Sequence, residues 1–133
     1  MAQENHCIAL NNDVMIPQIG FGVFQVEDGP QTVDAVRTAL EDGYRHIDTA
    51  SVYGNEASVG KAIAESDVDR ADLFVTTKLW NDDIRKRRTK DAFQESLDRL
   101  GLDYVDLYLI HWPAEGWQEA WAAMQELYAQ GHM

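Results

Sequence analysis

Apolar and polar positions follow two rhythms along this chain. Near the start, Cys7-Ile8-Ala9-Leu10 and Val14-Met15-Ile16 are short apolar runs on either side of Asn11-Asn12-Asp13, the composition of a β-hairpin turn, and Pro17 closes the hairpin. Residues 1–17 are therefore set apart from residues 18–133, where a second pattern recurs four times: a β-prone run, a loop, and a segment of helical period.

The first unit joins Ile19–Phe24 to a helix from Thr32, a residue suited to N-capping, to Asp42; Val33, Val36 and Leu40 share its inner face and Gly43 stops it. The second joins Tyr44–Asp48 to a helix capped by Asn55 that uses Val59 and Ile63. The third joins Leu73–Lys78 to a helix from Thr89, with Phe93, Leu97 and Leu100 inward and Gly101 past its end. The fourth joins Tyr104–His111 to a helix over Trp117–Ala129, with Trp121, Met124 and Tyr128 at helical spacing.

Strands alternating with helices imply parallel pairing through right-handed crossovers, hence an α/β fold. Two architectures satisfy that: an open doubly wound sheet, or a truncated (β/α)8 TIM barrel of which the first four β/α units are present, preceded by the N-terminal β-hairpin. An open sheet would carry Gly-x-Gly-x-x-Gly after its first strand, and Gly20-Phe21-Gly22-Val23-Phe24-Gln25 lacks the third glycine, which disfavours a Rossmann site.

Composition limits the partners. The 23 acidic and 11 basic residues give a net charge of −12, which repels a phosphate backbone, so nucleic acid is not an expected partner. No apolar run approaches the roughly 20 residues of a membrane helix, so no membrane is expected either. Met1-Ala2-Gln3-Glu4-Asn5 has neither a basic cluster nor an apolar stretch, and Cys7 is the one cysteine; both point to a cytoplasmic protein with no disulfide, Cys7 being a small packed residue. Arg85-Lys86-Arg87-Arg88 with Lys90 reads as a solvated connection before a helix, with anion binding as the alternative.

The chemistry gathers at strand ends. Asp48, Lys78 and His111 close the second, third and fourth strands, and Tyr53 follows Asp48 in the next loop. Carboxyl ends of neighbouring barrel strands lie side by side on the face that holds active sites, so these four residues converge there. Each alone has an ordinary structural reading; their joint placement raises the catalytic one. Phe24, Trp80 and Trp112 supply apolar walls for an organic substrate. A lysine cation beside a phenol stabilises the phenolate left after proton donation, Asp48 holds that lysine, and His111 can donate a hydrogen bond to a carbonyl oxygen as charge develops on it. Such a group suits hydride addition to a carbonyl, although barrels also host lyases in which a residue such as Lys78 forms a Schiff base.

Gly43-Tyr44-Arg45-His46-Ile47-Asp48-Thr49-Ala50, Tyr53-Gly54-Asn55-Glu56 and Val59-Gly60-Lys61-Ala62-Ile63 strongly resemble the first signature of the aldo-keto reductases. The resemblance continues through Thr76-Thr77-Lys78-Leu79-Trp80 and Leu100-Gly101-Leu102-Asp103-Tyr104-Val105-Asp106-Leu107-Tyr108-Leu109-Ile110-His111-Trp112-Pro113, and its details are most similar to the bacterial branch that includes 2,5-diketo-D-gluconate reductases. It implies a (β/α)8 barrel with a hairpin plugging its floor, and reduction of aldehydes or ketones by NADPH without a metal. It further implies Tyr53 as general acid, Lys78 and Asp48 as its tuning pair and His111 as the carbonyl-orienting residue. Gly22, Val23 and Asp48 then fall at the cofactor, and Phe24, Trp80, Trp112 and His111 at the substrate.

A full barrel of this kind takes about 250 residues, and only His132 and Met133 follow Gly131 here, so four units are absent and the end is expected to be an artificial or frameshifted boundary. NADPH affinity is expected to be weak or lost, because the missing half would carry most of the cofactor grip. A half sheet has two unpaired edges and an inner face expected to be apolar, so self-association as a homodimer is expected. A non-catalytic half-barrel assembly module is the alternative to a reductase.

Overall fold

The computed structural model describes residues 6–133, so the reading of Met1–Asn5 as free of a signal lies outside the described residues. The hairpin forms as its composition predicts: β1 (Cys7–Ala9) pairs antiparallel with β2 (Met15–Pro17), Ile8 opposite Ile16. A cavity of about 650 Å³ separates Cys7, Met15 and Pro17 of this hairpin from Phe74 and Asp106 at the amino ends of the later strands. The hairpin thus lies across the floor of the sheet.

Above it stand four parallel strands in the order β3 (Phe21–Gly22), β4 (His46–Asp48), β5 (Phe74–Leu79) and β6 (Leu107–Ile110). Each strand pairs with the next in sequence. A doubly wound sheet would reverse that order at a switch point, whereas the unbroken order is that of a barrel wall. Among the described residues, α1 (Pro30–Glu41), α2 (Glu56–Glu65), α3 (Asn81–Arg85) and α4 (Thr89–Leu100) lie between these strands, and α5 (Trp117–Ala129) follows β6. Strand residues alternate between faces. Ile47, Val75, Leu79 and Tyr108 turn toward the helices and are buried with Val36, Val59, Phe93 and Met124 in one core. Helices α2 and α4 approach so closely at Gly60 that a Cβ there would stand 2.2 Å from the Leu100 carbonyl oxygen.

The opposite face qualifies one expectation. It carries His46, Asp48, Thr76 and Lys78 beside Phe74, Leu107 and Leu109, so the inner face of the half sheet is mixed and not uniformly apolar.

Several local readings also change. Strand β3 is shorter than Ile19–Phe24, and Thr32 does not cap α1: that helix starts at Pro30, whose missing N–H suits a first turn, and the buried Thr32 hydroxyl donates instead to the Glu27 carbonyl at 2.6 Å. Asn55 precedes α2 without capping it, because its side chain is drawn into tertiary bonds described below. Gly101 ends α4 in the left-handed conformation, as its position predicts (φ 68°). Helix α5 spans its predicted residues, but Ala120, Met124 and Leu127 face inward while Trp121 and Tyr128 are more than half exposed. Both stripes satisfy helical spacing, and the one led by the small Ala120 allows close approach.

The basic cluster runs from the end of α3 through the turn before α4 and is solvated as expected, but it is paired: Arg85 lies in α3 and faces Asp82, Arg87 meets Glu119 at 3.1 Å, Arg88 bridges Asp83 and Glu95, and Lys90 pairs with Glu126. Acidic neighbours offset four of the five charges and leave Lys86, so the anion-binding alternative loses most of its basis. Among the described residues, no helix is long and apolar enough to cross a membrane.

Candidate active site

Asp48 and Lys78 stand on neighbouring strands, and the register that sets Asp48 opposite Thr76 places Lys78 two residues further along β5. The lysine reaches back across that step. Its Nζ donates to both Asp48 carboxylate oxygens and to the Thr49 carbonyl, each at 2.8 Å, and lies 3.4 Å from the Tyr53 hydroxyl. Tyr53 ends a 3₁₀ turn, Ser51–Tyr53, tied to β5 by a bond from the Ser51 hydroxyl to the Lys78 carbonyl at 3.2 Å. Gly54 then adopts φ 71°, which reverses the chain into α2 and is a conformation glycine tolerates without cost.

His111 lies one residue past β6, its N–H bonded to the Leu79 carbonyl at 3.1 Å. Its ring stands edge-on to Tyr53 at 5.8 Å and to Trp80 at 5.3 Å, and is parallel to Trp112 at 6.3 Å. Burial, reinforced by the Lys78 cation and opposed by Asp48, holds His111 below its ordinary pKa, so the neutral imidazole is favoured. Its Nδ1 is buried without a partner among the described residues, which leaves Nε2 as the nitrogen able to meet a substrate. The Phe24 ring lies 5.2 Å from the Tyr53 ring and tilted to it, and both Phe24 (64% exposed) and Trp112 (59%) project from the surface.

The fold thus brings Asp48, Tyr53, Lys78 and His111 to one point, with Phe24, Trp80 and Trp112 around it. Gly22 lies beside them, and a Cβ on it would come 3.8 Å from Asp48. Val23 departs from its expected cofactor role: its side chain is fully buried, its N–H is bonded to the Asp48 carbonyl and its own carbonyl accepts from Asn55, so it presents no free donor or apolar surface to a ligand.

Sequence reasoning missed the Thr49 carbonyl, which gives Lys78 its third acceptor, and Glu56, 1% exposed, which accepts from Thr77 at 2.7 Å and from Arg99 at 2.9 Å. The available signal was Glu56 itself, an acid one residue past Asn55 in a stretch whose neighbours Val59 and Ile63 mark a buried helix face.

His46 sits one layer below Asp48, with Nε2 2.9 Å from the Thr76 hydroxyl, and burial is the main cause that lowers its pKa. For His46 and His111 alike the unfolded chain binds protons more readily than the folded one. Their contribution to stability is therefore complete above the ordinary value of 6.5 and is lost as pH falls below it. The melting temperature is expected to fall between about pH 7.5 and about pH 5, and His46→Gln to flatten that slope; parallel slopes for parent and variant would contradict this origin.

Fold and site together define the opening half of a (β/α)8 barrel with a tyrosine, lysine, aspartate and histidine at its strand ends. The model of the aldo/keto reductase family matches residues 18–133, and the chain belongs to that family. It is 54% identical over 129 residues to an oxidoreductase of Bacillus subtilis (strain 168), YtbE, covering 93% of this chain and 46% of the relative. It superimposes on the crystal structure of an aldo/keto reductase from Brucella melitensis with a TM-score of 0.90 at 51% identity, covering 95% of this chain and 50% of that one. The structure of a Bombyx mori aldo-keto reductase in complex with NADP gives a TM-score of 0.83 at 41% identity, covering 95% and 47%. The chain therefore spans about half the length of the relatives it matches.

Proposed function

We propose that this chain carries the carbonyl-reducing site of an NADPH-dependent oxidoreductase that converts an aldehyde or ketone to an alcohol. The observation that carries the reading is the Tyr53 hydroxyl, 3.4 Å from a Lys78 ammonium that Asp48 and Thr49 hold at 2.8 Å. A carbonyl oxygen placed between Tyr53 and His111 Nε2 receives a hydrogen bond from each. As negative charge builds on that oxygen, the Tyr53 proton moves to it, and the adjacent Lys78 cation stabilises the phenolate that remains. Phe24, Trp80 and Trp112 exclude water from the apolar part of the substrate.

A reduced nicotinamide, when bound, supplies the hydride. The residues present fit the ring end of that group: Gly22 has no side chain to block the approach, and Asp48 is 32% exposed beside it. They do not fit its phosphates, because the described strand residues of this face offer one cation, Lys78, already committed to Asp48. Affinity for NADPH in this chain is therefore weak. Lys78 spends its protons as a donor to three residues and leaves no lone pair for a Schiff base, which weighs against the lyase reading. The test is substrate-dependent loss of NADPH absorbance; a folded chain that shows none at millimolar cofactor acts instead as a non-catalytic half-barrel module.

The open sheet supports a second, separate reading. Strands β3 and β6 each pair on one side only, and Trp117, Trp121 and Tyr128 project from α5, so we propose a cytoplasmic homodimer closed edge to edge. Two chains of charge −12 repel each other, so light scattering is expected to show a dimer that strengthens with salt; a monomer at all salt concentrations removes this reading.

A further inference from the structure

We infer that Asn55 is a positioning residue of this site: it fixes where Phe24 stands beside Tyr53, and so sets the width of the substrate opening. The functional part of this inference rests on the reductase reading above; the geometric part does not.

Asn55 is fully buried at the start of α2, where an asparagine ordinarily caps the helix, yet it makes no capping bond. Its amide is spent on three tertiary partners. Oδ1 accepts from the Thr49 hydroxyl at 2.8 Å, while Nδ2 donates to the Val23 and Val26 carbonyls, each at 3.0 Å. The partners settle which end is nitrogen, since two carbonyl oxygens require a donor between them. Both amide protons are thus used to span the turn Val23–Val26, which carries Phe24.

That turn needs holding. Gln25 adopts φ 63°, a left-handed conformation that costs a non-glycine residue, and it lies between the two carbonyls that Asn55 grips. The turn's own closure is the Val26 N–H to Val23 carbonyl bond at 3.1 Å. Phe24 is 64% exposed and has little packing of its own to fix it against the Tyr53 ring. On its other side Asn55 engages Thr49, whose N–H bonds the Thr76 carbonyl and whose carbonyl accepts from Lys78. One buried amide therefore sets the distance between the loop bearing an apolar wall and the strand end bearing the lysine.

The decisive variant is Asn55→Asp, which keeps volume and the Thr49 acceptor but turns a carboxylate oxygen toward two carbonyls; Asn55→Ala removes the bonds without repulsion. The readouts are the nuclear Overhauser effect between the Phe24 and Tyr53 rings, the cooperativity of thermal unfolding, and KM and kcat for para-nitrobenzaldehyde at fixed NADPH. The inference expects a cooperative melt, loss of the Phe24–Tyr53 signal in both variants, and a KM rise of about tenfold with kcat changed less than about threefold. A retained ring signal overturns it, as does an unchanged KM once the signal is lost. Loss of cooperative unfolding in both variants also overturns it, because Asn55 then serves the fold and not the loop. If the parent chain consumes no NADPH, the reductase reading fails by itself and the ring signal alone decides the role of Asn55.

Discussion

Gly60→Ala is expected to lower the melting temperature by roughly 9 °C, because a Cβ here meets a closer neighbour than at any other glycine of the chain. The added Cβ would lie 2.2 Å from the Leu100 carbonyl oxygen, 2.6 Å from its carbon and 2.8 Å from its Cα. All three are backbone atoms, so no side chain can swing aside. Helices α2 and α4 must separate, which loosens Val59 and Ile63 against Leu97 and Leu100. Overpacking of this kind costs about 3 kcal/mol or more, and the better helix propensity of alanine returns under 1 kcal/mol. The net of about 2.5 kcal/mol, over the unfolding entropy of a 133-residue chain, gives the stated shift. A variant that melts with its parent would mean that the two helices are not in contact at this point.

Tyr53→Phe is expected to reduce kcat/KM for carbonyl reduction about a thousandfold, the middle of the range for losing a general acid. The change deletes one oxygen and little else. The ring keeps its contacts with Phe24 and His111, and Lys78 keeps Asp48 and Thr49 at 2.8 Å, so the melting temperature should stay within a few degrees. Steady-state loss of NADPH absorbance measures the effect. A Tyr53→Phe chain that reduces carbonyls as fast as the parent would assign the proton to another group.

What could be read from the chain was what neighbours in sequence decide. The end of β4 at Asp48, the end of β5 within one residue of Lys78, the stop at Gly101 and the span of α5 follow from hydrophobic period and local backbone preference, and the first two place the aspartate and the lysine side by side. Thr32 and Asn55 were read as caps because a helix terminus is the nearest claimant for a threonine hydroxyl or an asparagine amide. In the fold, more distant carbonyls claim both. The inward face of α5 was ambiguous for a related reason: two stripes satisfy the helical period, and only the packing of α5 against the rest of the fold chooses Ala120 over Trp121. The mixed character of the sheet's open face, with His46, Asp48, Thr76 and Lys78 beside Phe74, Leu107 and Leu109, emerges only when register aligns alternate residues from separate strands.

The unbroken strand order has a bearing on how the molecule comes into being. Every strand after β3 finds its hydrogen-bonding partner in the strand made just before it, with only a helical connection between them. Assembly can therefore advance in the direction of synthesis, each unit docking on a template that already exists, without waiting for a distant segment to emerge. A ribosome releasing this polypeptide from its amino end would deliver the pieces in the sequence in which they fit.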